Sequence, residues 1–238
     1  MRVTALLTGR GGSTLSNKNV LPVHGRPLLY YPAMAAKNAI NVDDYYVSSD
    51  CERILQAANS LGYKKIVRPK EFATADAKHI DAIKHALDQL LIENIEPDIL
   101  VVLMANSGTI KSKWIEQAVN AIKKDPAISA VVPVFNDQEH HPFRAKKLDE
   151  SGLLQPFFNF GSMNVSTNRQ ELEPCYFLCH NFWVLNLNIS YYAPGGQKPW
   201  TFLGEKIKPI IVDESFDVHT LDDLTRTEKW LTLNRIID

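Results

Sequence analysis

Short apolar runs alternate with segments of helical period along the first half of the chain. Val3–Leu7, Tyr45–Ser48, Lys65–Val67, Ile99–Met104 and Ser129–Val134 are short and rich in β-branched residues, which predicts strands. Between them, Pro27–Asn38, Glu52–Leu61, Ile80–Ile92 and Lys113–Ile122 predict helices. In the last of these, Trp114, Ile115, Ala118, Val119 and Ile122 form one apolar stripe. Pro27 suits a first helical turn, whereas Pro32 should kink or delay its helix. Near-continuous apolar strands alternating with helices imply an α/β fold, its mainly parallel sheet covered on both faces. Such sheets bind ligands beyond the carboxyl ends of their strands.

After Pro133 the rhythm changes. Arg144–Leu148 and Leu153–Phe158, separated by Asp149–Gly152, predict a hairpin, and Phe177–Leu185 predicts one buried strand. The α/β pattern resumes with Ile207–Val212 and a helix from about Leu221 to Leu233, opened by Thr220 with Asp222 and Asp223 in its first turn. The simplest organisation is an α/β core of residues 1–135 and 200–238 carrying an inserted lobe, 136–199.

Composition then removes several function classes. The 238 residues carry a formal net charge of -1, which gives no electrostatic footprint for nucleic acid. An anionic ligand would have to be met by a local positive pocket. No apolar stretch approaches a membrane span. The cysteines Cys51, Cys175 and Cys179 are few and odd in number, so the expectation is a cytoplasmic protein with neither nucleic-acid nor membrane partners.

The first strand runs out into Arg10-Gly11-Gly12-Ser13, followed within a few residues by Lys18-Asn19. A glycine pair at a strand end can present backbone N–H groups to anionic oxygens, and Arg10 and Lys18 flank it with positive charge. The other reading is a tight turn with two solvated cations. GxxxxGK[ST] is absent, which excludes a Walker P-loop. Cys175, Cys179 and His180 lack a fourth ligand for structural zinc, and Cys51 has no neighbouring base. His85 suits packing, His140-His141 a polar turn, and Tyr176–Trp183 a core or an interface. No GxSxG arrangement supports hydrolase chemistry.

The order of further motifs resembles the acylneuraminate cytidylyltransferases and the related 3-deoxy-manno-octulosonate enzymes. The likeness runs nearly end to end. It takes in Arg10-Gly-Gly-Ser13, Lys18-Asn19, Gly25-Arg-Pro-Leu28, Val47-Ser-Ser-Asp50, Arg68-Pro-Lys-Glu-Phe-Ala73, Ile80-Asp81 and His85-Ala-Leu87. It continues through His141–Lys147, Leu154-Gln-Pro156, Asn168-Arg-Gln170, Phe202-Leu-Gly204 and Ser215-Phe-Asp217. The resemblance implies a Rossmann-like nucleotide-diphospho-sugar transferase fold. It also implies transfer of CMP from CTP to the anomeric hydroxyl of a keto-sugar acid, with Mg²⁺ as cofactor. Arg10, Gly11, Gly12, Ser13, Lys18, Asn19 and Arg68 would hold the nucleotide, and Arg10, Lys18 and Asp217 would serve the chemistry. Lys147 and Arg169 would meet the sugar carboxylate, Asn181 a hydroxyl, and the lobe would build a homodimer.

Four departures from that pattern stand out. Thr14-Leu15 replaces a Lys-Gly, so one phosphate-binding cation is missing. Met104 stands where the family carries Gln, leaving Asn106 and Ser107 to reach the same space. In the Arg68 motif the expected Asp falls at Ala75, with Asp76 one place late. The family's Asp-x-Asp metal motif reads Asp217-Val-His219; on a strand these two would share a side, and an imidazole would tilt the site from Mg²⁺ toward Mn²⁺. Three readings stay open: an enzyme with an altered metal site, nucleotidyl transfer to a different acceptor, and a silent nucleotide- or sugar-binding paralogue.

Overall fold

The computed structural model describes residues 1–12 and 15–236. In chain order the elements are β1 (Val3–Thr8), the two-residue strands β2 (Pro22–Val23) and β3 (Arg26–Pro27), α1 (Tyr30–Lys37), β4 (Asp44–Ser49) and α2 (Glu52–Asn59). Then come β5 (Lys64–Val67), α3 (His79–Ile92), β6 (Ile99–Met104), α4 (Ser112–Lys124), β7 (Ala130–Asn136), β8 (Lys146–Leu148) and β9 (Leu154–Pro156). The chain closes with β10 (Tyr176–Leu178), β11 (Phe182–Asn186), β12 (Ile207–Ile211) and α5 (Leu221–Leu233).

One eight-stranded sheet organises the molecule. β5, β4, β1 and β6 run parallel in that spatial order. β11 lies antiparallel between β6 and β7, and β12 pairs parallel with β7 on the far side. The chain thus winds one way from β1 through β4 to β5 and then crosses back to β6. This makes the junction of β1 and β6 the topological switch point.

The two faces of β1 enter different layers. Val3, Ala5 and Leu7 pack with residues of α1, α2 and α4, while Leu6 packs with α3 and with Trp183, Leu185, Leu187 and Leu203. In α4, Ile115, Ala118, Val119 and Ile122 are fully buried at helical spacing, and each large apolar side chain so buried stabilises by roughly 1.5–3 kcal/mol. A smaller cluster of Val23, Leu28, Tyr31, Val218, Trp230 and Leu231 fastens α5 to β2. α5 starts with a capping box: the Asp223 amide donates to the Thr220 hydroxyl, and the Asp223 carboxylate accepts from the Thr220 N–H.

Two details depart from the sequence expectation. α1 starts at Tyr30, because Pro27 belongs to β3 and pairs with Pro22. Pro32 then sits in the first turn, where no N–H needs an intrahelical partner. The single strand expected over Phe177–Leu185 is broken into β10 and β11. Between the pair Leu178–Val134 and the pair Val184–Val131 the returning chain advances six residues against three of β7, so Cys179–Asn181 bulge out. β10 and β11 belong to the main sheet, whereas β8 and β9 form a two-stranded ribbon of their own. Residues 137–175, which run between β7 and β10 and carry that ribbon, form the arm.

Candidate active site

The loop after β1 is held by close backbone approach. The Gly9 N–H donates to the Ser48 carbonyl at 3.2 Å, tying the carboxyl ends of β1 and β4. A Cβ on Gly9 would stand 2.9 Å from Ala105 Cβ, and one on Gly11 2.9 Å from Cys51 Cβ, so both positions exclude a side chain. The Gly11 N–H is not free for a ligand: it donates to Asp50 Oδ1 at 2.9 Å. That corrects the expected cradle of unblocked amides at this residue. Gly12 has open space around it, and Ser13 lies outside the described residues. The Asn19 amide donates to the Arg10 carbonyl at 3.0 Å and closes the loop.

Beyond these strand ends lies a cavity of about 280 Å³, lined among others by Arg10, Lys18, Asn19, Arg68, His79 and Asn106. Arg10 extends across it and donates to the Thr74 carbonyl at 2.6 Å. Arg68 is 6% exposed, and its guanidinium donates to the Ser48 hydroxyl at 3.1 Å and the Ser48 carbonyl at 2.7 Å. Burial, with help from Arg10, pulls its pKa down to about 10. It remains a cation at neutral pH, locked in place. Burial also lowers the Lys18 pKa, with Asp217 opposing and Arg10 adding to the shift. Three cations, two from the loop after β1 and one from the end of β5, thus converge on one concavity, although the chain as a whole is almost neutral.

Asp217 lies close enough to Lys18 for their charges to act on each other. Burial pushes its carboxyl up to about 6, against the opposing pull of Lys18 and of the Asn106 amide. Among the described residues its Oδ1 is buried without a hydrogen-bond partner. A desolvated carboxylate oxygen with nothing to accept from is the environment a hard cation relieves. Among the described residues no three His, Cys, Asp or Glu side chains form a ready cage. The fit is therefore to an ion held by one carboxylate and completed by phosphate oxygens and water, as Mg²⁺ permits. The strand expected through Asp217 and His219 does not form, which removes the reason for the two to share a side. Val218 between them is fully buried, and His219 is exposed, with its backbone N–H on Asp223 at 2.9 Å.

The other expected residues are dispersed. Asn106 lines the cavity. Lys147 lies on exposed β8. Arg169 forms an ion pair with Glu139 on the arm. Asn181 is fully buried; its amide donates to the Thr109 carbonyl at 2.9 Å and its Oδ1 accepts from the Phe182 N–H at 2.9 Å. With its side chain committed inside the fold, Asn181 does not meet a sugar hydroxyl. Conversely, sequence reasoning overlooked His79, the first residue of α3, although it directly precedes the noted Ile80-Asp81. Its Nε2 lies 2.9 Å from the Thr8 hydroxyl, which donates onward to the Leu103 carbonyl at 3.1 Å. With the hydroxyl proton so used, His79 Nε2–H is the donor. Burial, together with Arg68 and His180, pulls its pKa down to about 4, so the ring is neutral.

Residues 4–150 match a protein-family model described as Cytidylyltransferase. CMP-N,N'-diacetyllegionaminic acid synthase of Legionella pneumophila is 25% identical, across 99% of this chain and 98% of that protein. An 8-amino-3,8-dideoxy-manno-octulosonate cytidylyltransferase of Shewanella piezotolerans is 30% identical; the match takes in 53% of this chain and 49%, about half, of that relative. Among solved structures, CMP:2-keto-3-deoxy-manno-octonic acid synthetase complexed with CTP superposes with a TM-score of 0.70 at 15% identity, over 98% of this chain and 100% of that one. The 4-diphosphocytidyl-2C-methyl-D-erythritol synthase of Anaerococcus prevotii gives 0.63 at 11%, over 97% and 96%. At those identities the structural likeness speaks to the fold.

Proposed function

The chain belongs to the cytidylyltransferase family, and from that membership we propose that it transfers CMP from CTP to the anomeric hydroxyl of an eight- or nine-carbon keto-sugar acid. The observation that carries this reading is the convergence of Arg10, Lys18 and Arg68 on one cavity, with Asp217, its Oδ1 buried and unpartnered among the described residues, close enough to Lys18 for their charges to act on each other. The acceptor class rests on relatives named for legionaminic, pseudaminic, N-acylneuraminic and octulosonic acids.

In this reading Arg10 and Lys18 neutralise the triphosphate, and Arg68 frames the nucleotide from a fixed position. The sugar hydroxyl oxygen attacks the α-phosphorus in line and gives up its proton to solvent, the bond to the bridging oxygen breaks, and pyrophosphate leaves. Negative charge grows on phosphate oxygens during this step, and the two cations are placed to offset it. Asp217 would hold Mg²⁺, or Mn²⁺; such an ion, when bound, supplies charge neutralisation at the phosphates. His219 is left outside that ligand set. Lys147 and Arg169 serve the sugar carboxylate on the arm, where the incoming carboxylate replaces Glu139 as the partner of Arg169.

The arm also supports a homodimer. Leu148, Leu154 and Phe157 are 67%, 69% and 54% exposed, an apolar surface suited to a second copy of the chain. Three free cysteines suit a reducing cytoplasm. The test is pyrophosphate release from CTP, ATP, GTP and UTP against a panel of keto-sugar acids, with Mg²⁺ and Mn²⁺ in parallel. Release confined to CTP with one acid is the expected result. Silence across the panel would favour a nucleotide-binding paralogue, and release with a different acceptor would redraw the substrate class.

A further inference from the structure

Two irregular stretches near the cavity are cross-linked by hydrogen bonds. One is the loop after β6, residues 106–109; the other is 215–218, which leads into α5. Thr109 Oγ1 accepts from the Phe216 N–H at 3.2 Å and lies 3.3 Å from the Ser215 hydroxyl. The Ser107 hydroxyl donates to the Phe216 carbonyl at 3.0 Å, and the Val218 N–H donates to the Asn106 carbonyl at 2.9 Å. Backbone groups on both sides of Asp217 are therefore held by the 106–109 loop.

The loop is fixed in turn by the bulge between β10 and β11. Asn181 donates to the Thr109 carbonyl while accepting from Phe182, so its amide spans bulge and loop inside the fold. Ser107, Thr109 and Asn181 are all fully buried, where a lost hydrogen-bond partner is most costly. Nor can the loop shift onto α5, since even a Cβ at Gly108 would lie 2.7 Å from Thr227 Cγ2.

We propose that Thr109 and Asn181 are positioning residues: through the Phe216 backbone they fix the Asp217 carboxylate against the cavity's cations, and they couple it to the strand through which the arm returns to the sheet. This rests on the role proposed for Asp217. It also gives the committed amide of Asn181 and the interruption of an otherwise apolar strand a common purpose.

Thr109→Val keeps the side-chain shape and removes the acceptor, whereas Thr109→Ser keeps the hydroxyl. For Thr109→Val we expect kcat to fall about tenfold or more with the CTP KM within about threefold, since the bond acts on alignment rather than on nucleotide contact. Thr109→Ser should retain at least about a third of wild-type kcat on the same scale. A fall shared equally by both variants, or one carried by KM, would overturn the proposal. An activity-free readout is Mn²⁺ affinity of the protein, by electron paramagnetic resonance. It is expected to be about tenfold weaker in Thr109→Val than in wild type and Thr109→Ser; equal affinities in all three sink the clamp. A wild-type protein that binds Mn²⁺ yet releases no pyrophosphate would count against the proposed function, and the order of the three affinities would still decide the clamp.

Discussion

Around the cavity, polar side chains reach across the molecule; along the arm, they bond mostly to their own loop. Arg68 is bound to Ser48, Gly11 to Asp50, and Thr8 to His79, each joining different elements of the core. On the arm, Asp149 accepts from Ser151, Leu153 and Gln155, and Glu171 accepts from Ser166 and Asn168. The first kind of bond fixes groups before a ligand arrives, which suits stabilising charge on phosphates. The second shapes a segment without anchoring it, and the arm's exposed apolar side chains contribute little until something covers them. Stability should therefore be concentrated at the cavity, and adaptability on the arm.

The comparison breaks first at Asp217. Asp217→Ala should cut pyrophosphate release by about 10²–10³-fold, the range for one lost electrostatic contact in a reacting site. The thermal midpoint of the metal-free variant should not fall, because burial destabilises this carboxylate more than Lys18 and Asn106 stabilise it. A variant retaining half of wild-type turnover would remove Asp217 from the chemistry.

Next in size is a pH effect on the cavity wall. His79 has a folded-state pKa of about 4 against an ordinary 6.5, so its unfolded form takes up protons first as pH falls. Its contribution is fully present above about pH 6.5 and is lost progressively as pH approaches 4, amounting to about 3 kcal/mol over that window. Urea unfolding at neutral and at acid pH should show this loss in the wild type and a smaller one in His79→Gln. Parallel losses in the two proteins would place the titration elsewhere.

Arg10→Ala should weaken CTP binding by about 1.5–3 kcal/mol for a lost charge-assisted contact, read by calorimetry. Unchanged affinity would return the loop to a tight turn with solvated cations. The smallest effect is expected on the arm. Arg169→Ala should leave stability within about 0.5 kcal/mol, as exposed ion pairs do, while raising the sugar-acid KM more than the CTP KM. The reverse pattern would make Arg169 a structural residue.

Much of the fold was legible because it is written in short-range patterns. The buried stripe of α4 and the apolar runs of β1 and β6 have a period that any neighbour would have to respect. The resemblance drawn from motif order holds at the level of the family. Arg10, Lys18, Asn19 and Arg68, from the first loop and the Arg68 motif, line one cavity. The bulge at Cys179–Asn181 was not legible, since the run around it stays apolar while the register is set by β7. Nor was His79, an ordinary helix-start residue until β1 and Trp183 enclose it.

The sequence by itself determined an α/β chain of strands apolar on both faces, a glycine loop after the first strand, and the cations beside it. Periodicity and backbone sterics are properties of neighbouring residues, and they survive without a partner. Only the tertiary structure decided which donors stay available. It gave the Gly11 amide to Asp50, enclosed Asn181, exposed His219, and left Asp217 Oδ1 buried and, among the described residues, unpaired. Availability depends on what packs against a group and on the dielectric around it, and these are fixed by residues far away in the chain.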